Sequence, residues 1–194
     1  IYDLAKIKRV IVSTYQAVSG AGKEGIDELD AQVREHSEGR EMTANILPSA
    51  SAEKHYPIAF NLIPQIDVFC DNLYTKEEMK MVNETKKIME DYEMRITATT
   101  IRVPVYRSHS ESVNIELEKE VDLGAMREAL AKFPGVTVQD DPSKQEYPMP
   151  LYTSEKDDVY VGRLRRDESC EKSYNMWVVG DQIRKGAALN TLQT

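Results

Sequence analysis

The feature that most constrains this chain is how often one strand-like run follows another without a helix between them. Residues 95–105 (RITATTIRVPV) and 110–117 (SESVNIEL) are both strand-like and lie four residues apart. Residues 159–164 and 174–179 form a second such succession. Further strands are expected at 7–15 (IKRVIVSTY), a β-branched apolar run, and at 136–138. Helical spacing of apolar residues predicts helices over 23–36, 75–90, 123–133 and 182–192. The second opens on Thr75 and Glu78, the pattern of a capping box. Residues 37–53 read as a long loop, and 58–68 as an irregular or edge segment because Pro64 interrupts it. The expected fold class is α+β: a mixed, largely antiparallel sheet with helices packed on one face.

With 194 residues, 41% of them hydrophobic, the chain can bury a real core as one domain. Its net charge of −8 argues against nucleic acid or an anionic membrane as general partners, because both reward a basic surface. Two cysteines, Cys70 and Cys170, are too few for a disulfide framework, so a cytoplasmic location is expected. No apolar run approaches the roughly 20 residues that span a bilayer. The opening IYDLAKIKRV and the closing ALNTLQT both read as the middle of a longer polypeptide. The expected organisation is a catalytic and dimerisation domain over 1–180 and a C-terminal helix over 181–194.

The chemistry concentrates in two segments. TTIRVPVYRSHSESVNIEL places Arg102 seven residues before His109, and TYQAVSGAG places Gln16 ahead of a turn of small residues, Ser19 to Gly22. Imidazole suits acid–base work near neutral pH. A lone histidine is more often structural, but His109 stands apart from His36 and His55 through its neighbours Ser108, Ser110, Glu111 and Arg102. Arg102 lies between Ile101 and Val103. A structural ion pair and a bidentate grip on a substrate carboxylate account for it equally well. Glu84 and Lys87 share a helix face, where a surface pair is the plainer reading. The Gly-rich turn lacks GxGxxG spacing, the thiols sit beside acids that dull them, and the histidines show no metal-ligand spacing.

Together, VIVSTYQAVSGAGK, NLIPQIDVF, TKEEMKMVNETKKIM, TTIRVPVYRSHSESVNIE, YVGRLRRD and QIRKGAALNT resemble the aspartate-β-semialdehyde dehydrogenase family in its Gram-positive bacterial style. The resemblance covers nearly the whole chain. It implies the C-terminal catalytic and dimerisation domain, similar in fold to the second domain of glyceraldehyde-3-phosphate dehydrogenase. The family's NADP-binding domain and catalytic cysteine would precede this stretch. The last helix would pack on that domain, and a homodimer would form through the sheet face. The implied reaction is NADPH-dependent conversion of β-aspartyl phosphate to aspartate β-semialdehyde and phosphate, on the route to lysine, threonine and methionine. By the same resemblance, His109 is the acid–base group and Gln16 orients the substrate. Arg102 binds the substrate carboxylate, Glu84 the amine, and Lys87 the phosphate, with Lys86 the neighbouring alternative. Ser19, Gly20 and Asn190 face the cofactor. A related N-acetylglutamyl-phosphate reductase and a catalytically silent dimerisation module are the competing readings. No metal is implied, and the chain alone is expected to be inactive.

Overall fold

The computed structural model describes residues 1–184, so Asn190 and most of the 182–192 helix lie outside the described residues; residues 182–184 form one helical turn. Six strands make one sheet in the order β2-β1-β3-β6-β5-β4. They are β1 (Ile7–Gln16), β2 (Arg95–Arg102), β3 (His109–Leu117), β4 (Val136–Val138), β5 (Val159–Arg166) and β6 (Ser173–Gly180). The pairs β1–β3, β3–β6 and β5–β6 are antiparallel, and β1–β2 and β4–β5 are parallel. The expected mixed, largely antiparallel sheet is therefore observed.

One finding departs from a simple reading of the strand succession. β2 and β3 are consecutive in sequence but do not pair, because β1 lies between them. The chain from β2 to β3 crosses the end of β1 and bonds to it on the way. Val103 N–H donates to Gln16 C=O (3.0 Å), Val18 N–H to Val105 C=O (2.8 Å), and Ser19 N–H to Tyr106 C=O (3.1 Å).

Strand alternation gives the sheet two unlike faces. Val10, Val12, Ile115, Tyr174 and Met176 share one face by register. Helix α3 (Leu123–Lys132) packs there, with Met126 fully buried against Ile115, Tyr174 and Val161. Helix α2 (Lys76–Ile88) closes the β2 edge of the same face. Its capping box forms as expected, and Glu78 Oε1 also accepts the Thr100 N–H of β2 (3.0 Å). The opposite face carries none of α1, α2 and α3; the short helix α4 (Pro150–Thr153) and the segment before it lie at its β6 end, where Trp177 Nε1 donates to Pro148 C=O (3.0 Å), and the rest is rich in hydroxyls and amides. Ser13, Thr97, Thr99, Ser112, Asn114 and Asn175 lie on it, with Ile11, Tyr15, Ile101, Trp177 and Val179 among its apolar members. The rings of Tyr15 and Trp177 meet at 5.5 Å between centroids.

Helix α1 (Gly22–Ser37) stands beyond the end of the sheet and holds the long loop expected at 37–53. Two of its side chains do this. Gln32 is fully buried; its Oε1 accepts the N–H of Ile58 (2.8 Å) and of Ala59 (3.0 Å), and its Nε2 donates to Thr43 C=O (2.9 Å). Glu28 Oε1 accepts the N–H of Asn45 and Ile46. Pro64 leaves 58–68 irregular, with a single bridge from Ile63 to Arg102. Removing Gln32 strands two buried amides and a carbonyl. Gln32→Ala should cost about 2–4 kcal/mol in urea unfolding, more than an exposed helix substitution such as Arg34→Ala.

Candidate active site

Three strands end in one row, and the row carries the residues that drew attention in the sequence. Gln16 at the end of β1 pairs with Arg102 at the end of β2. Tyr15 pairs with Ser110, which sets His109, at the start of β3, on the other flank of Gln16. His109 in turn pairs with Gly180 at the end of β6. Cross-strand partners share a face, so Gln16, Arg102 and His109 project together toward the helix-covered side.

The backbone of one residue holds two of them, through successive peptide groups. Ala17, fully buried, donates its N–H to His109 Nδ1 (3.1 Å) and accepts Arg102 Nη1 at its carbonyl (2.7 Å). Beyond Ala17 the chain makes a 3-10 turn (Val18–Ala21) and then enters α1. Gly20 in that turn lies directly on both side chains. A Cβ there would stand 2.5 Å from Arg102 Nη1 and 3.4 Å from Cε1 and Nε2 of His109. Any larger residue would displace the guanidinium.

The electrostatics follow from burial. Arg102 is buried, and among the described residues no carboxylate comes within ion-pair distance of it. Its Nε is buried with no hydrogen-bond partner. The structural ion pair that the sequence offered is thus not formed among the described residues. Burial lowers its pKa to about 10, partly offset by the Glu77 carboxylate, so the group stays charged at neutral pH. Burial also pushes His109 down to about 4, with the positive charge of Arg102 adding to the effect and Asp181 opposing it. The Ala17 N–H works in the same direction, because it can bond only to an unprotonated Nδ1. His109 is therefore neutral at pH 7, with its hydrogen on Nε2. Glu111, on the same face two residues on, is pushed up by burial.

The helix contribution differs from the expected one. Glu84 and Lys87 are exposed on α2, and among the described residues neither bonds to Gln16, Arg102 or His109; Lys86 is half-buried and does not either. The pair that reaches the row stands seven residues earlier. Glu77 Oε1 accepts Gln16 Nε2 (3.3 Å), and Lys80 Nζ lies 3.8 Å from Glu77 Oε2. Seven residues are nearly two helical turns, about 10 Å along the axis. Both pairs thus occupy one stripe, and only the one near the N-terminus of α2 meets the strand ends. Spacing alone could not separate them.

Ser19 is buried and accepts Gln182 Nε2 at its Oγ (2.7 Å); Gln182 Oε1 is buried and unpartnered. Cys70 lies in the turn before α2 and Cys170 in the turn between β5 and β6; both are free thiols. Among the described residues no cluster of three or more His, Cys, Asp or Glu could hold a metal ion. No helix among them is long and apolar enough to cross a membrane.

His109 gives this geometry a pH signature. Its folded pKa lies below the ordinary 6.5 of an imidazole. Between about 4 and 6.5 the unfolded chain binds a proton that the folded chain does not, so stability rises with pH across that window. The contribution is complete above 6.5 and is lost on acidification. In ¹⁵N–¹H spectra, His109 should titrate well below the ordinary 6.5 of an imidazole and should show its hydrogen on Nε2 at pH 7. His109→Gln should flatten the stability slope between pH 4 and 6.5.

Comparison with known proteins matches residues 1–185 to the family described as semialdehyde dehydrogenase, dimerisation domain. The chain is 51% identical to the aspartate-semialdehyde dehydrogenase of Aquifex aeolicus over all of its own length and 55% of that protein's. It is 50% identical to the enzyme of the same name from Bacillus subtilis, over 96% of its own length and 54% of the relative's. Among solved structures, aspartate semialdehyde dehydrogenase II of Vibrio cholerae, complexed with ASA, superposes with a TM-score of 0.92 at 42% identity, covering 99% of this chain and 55% of that one. The chain spans about half the length of the curated relatives it matches.

Proposed function

This chain belongs to the semialdehyde dehydrogenase family through its dimerisation domain, and from that membership and the strand-end row we propose that it is the substrate-binding half of an aspartate-β-semialdehyde dehydrogenase. The whole reaction takes β-aspartyl phosphate, NADPH and a proton to the semialdehyde, phosphate and NADP⁺, in cytoplasmic amino-acid biosynthesis. The observation that carries the reading is a buried guanidinium with no carboxylate of its own, flanked by an imidazole on one side and a carboxylate on the other.

Each side chain has a role that its surroundings support. Arg102 offers a planar fork to the substrate's α-carboxylate, which would supply the missing counter-charge in a dry site. Glu77, rather than Glu84, faces the ammonium beside that carboxylate. An N-acylated substrate would leave Glu77 without an ionic partner, which favours the free amino acid over the N-acetylglutamyl alternative. Gln16, tethered to Thr14 Oγ1 and Glu77 through its Nε2, orients the substrate between them. Lys80, rather than Lys87, is the cation assigned to the departing phosphate, because it stands beside Glu77 at the strand ends. His109 presents Nε2–H, a donor for the carbonyl oxygen as it gains negative charge. Acid–base duty additionally needs an anion beside the ring to lift its pKa, which a substrate-attacking thiolate would supply. That nucleophile and the nucleotide-binding unit are assigned to the part of the relatives' length that this chain does not span. The chain alone is accordingly inactive.

NADP(H) fits the turn at Ser19 and Gly20: residue 20 has no room for a Cβ, and Gln182, which donates to Ser19 Oγ from beyond β6, has a buried, unpartnered Oε1. When bound, the cofactor supplies hydride. The chain's own part is to present a side-chain-free floor at Gly20 and to hold Ser19 in place.

In the full-length natural enzyme, His109→Asn should lower turnover by about 10²–10⁴. A change below about threefold would return His109 to a structural role. Glu77→Gln should raise the Michaelis constant for the semialdehyde about tenfold, the usual scale for losing one charged contact, while Glu84→Gln should leave it unchanged. The reverse result would restore the later pair.

The polar sheet face, away from its α4-covered end, is the proposed homodimer interface. Ser112 is exposed near its middle, beside the Tyr15–Trp177 contact. Ser112→Glu would bury like charges across a two-fold seam. Light scattering at micromolar concentration should show a dimer for the natural enzyme and a monomer for the variant; a variant that stays dimeric would move the interface elsewhere.

A further inference from the structure

His109 leaves its loop through a backbone conformation that residues with a side chain rarely adopt. Ser108 is buried with φ +74°. Such a turn persists where its surroundings over-determine it. Here the surroundings are specific. Ser108 Oγ shares a hydrogen bond with Thr153 Oγ1 (2.7 Å). Arg107, the residue before, donates Nη2 to Asp181 Oδ2 (2.9 Å) and Nη1 to Glu155 Oε1 (2.9 Å).

Asp181 is the hub of this arrangement. It is fully buried, while Glu155 is largely exposed. Its Oδ2 also accepts the Glu155 N–H (2.7 Å), and its Oδ1 accepts the Ile183 N–H (3.0 Å). It directly follows Gly180, the cross-strand partner of His109. One carboxylate therefore ties together the approach to His109, its strand neighbour and the chain leaving the sheet.

We propose that Asp181 is the positioning residue of the His109 site: by holding Arg107 it maintains the left-handed turn at Ser108 and so sets the imidazole against the Ala17 amide. The role rests on the reading of His109 as the site's working group, but it acts through geometry and touches no reacting atom. An amide cannot replace the carboxylate. Two donors converge on Oδ2 and a third on Oδ1, so one end of an asparagine would turn its NH₂ toward a donor. The exposed Glu155 carboxylate adds little, as surface pairs do.

The test uses the ¹⁵N-labelled protein and two readouts at pH 7: hydrogen-exchange protection of the Ala17 amide relative to the mid-strand Val12 amide, and the His109 ring nitrogens. Asp181→Asn should reduce the Ala17 to Val12 protection ratio about tenfold, the scale of one hydrogen bond lost, and move the ring from the Nε2–H form toward a tautomer mixture. Glu155→Gln should leave both at wild-type values. A purely stabilising Asp181 would lower both amides together and keep the ratio, which would overturn the proposal. If Asp181→Asn does not fold, Arg107→Lys decides. It keeps the charge but loses the fork that reaches two acids, and an unchanged ratio there is equally fatal. Neither readout depends on turnover, so loss of the proposed reaction and loss of this positioning role are told apart.

Discussion

The site depends on the backbone of Ala17, whose N–H and C=O lie in two successive peptide groups. Its N–H fixes one ring nitrogen of His109, and its carbonyl fixes one guanidinium nitrogen of Arg102. A backbone group can do this only where its strand has just ended and its ladder partners have stopped competing for it. The sheet provides that place because β1 lies between β2 and β3 and ends level with both. The crossing loop then bonds to the 17–19 turn and seals it. Gly20 completes the arrangement by contributing no side chain where one would collide with Arg102.

The same few ångströms set the charge states. A buried guanidinium without an acid is costly unless something offsets its lost hydration. Here the Ala17 carbonyl and the field of Glu77 do so in part, and an anionic substrate would do the rest. Burial keeps His109 neutral, and the unpaired positive charge adds to that effect. Arg102 thus has two consequences from one placement: an electrostatic invitation to a carboxylate, and a neighbouring imidazole held as an Nε2–H donor. The chain's net charge of −8 does not conflict with this. Local desolvated charge decides what a cleft binds, while overall charge governs what the surface attracts.

Much of this was legible in the sequence, for physical reasons that can be named. The capping box at Thr75 and Glu78 depends on residues three apart and formed as expected. Arg102 within an apolar run and His109 at a strand start mark a buried charge and a titratable group, and both reached the row. What the sequence left open were facts of long range. β1 intervenes between two consecutive strands, a choice made by packing rather than by local pattern. Glu77 with Lys80 and Glu84 with Lys87 repeat at a heptad, so helical periodicity gives both pairs one face, and only the position of the helix end selects the first. Ser108 carries no residue-type signal for its left-handed turn, since serine is not a usual choice there. Asp181 lies 72 residues from His109 in sequence and meets its loop only through the β3–β6 ladder.

The two faces of the sheet differ in a way that suits the proposed homodimer, since the apolar core is already complete on one of them. Val10, Val12, Ile115, Tyr174 and Met176 are satisfied by the helix side. The other side is a broad, twisted surface of hydroxyls and amides around Tyr15 and Trp177. A bulge in β5 adds to it. The register shifts between Gly162 and Arg165, and Arg163 takes a left-handed φ of 55°. The shift sends Leu164 to the core and Arg165 to the polar face, beside Asn175. Without the bulge, strict alternation from Gly162 would expose Leu164 on the polar face and bury Arg165. A face built in this way favours a partner that returns hydrogen bonds rather than one that only excludes water. A second copy of the same face does so by symmetry, since every hydroxyl and amide it presents can both donate and accept.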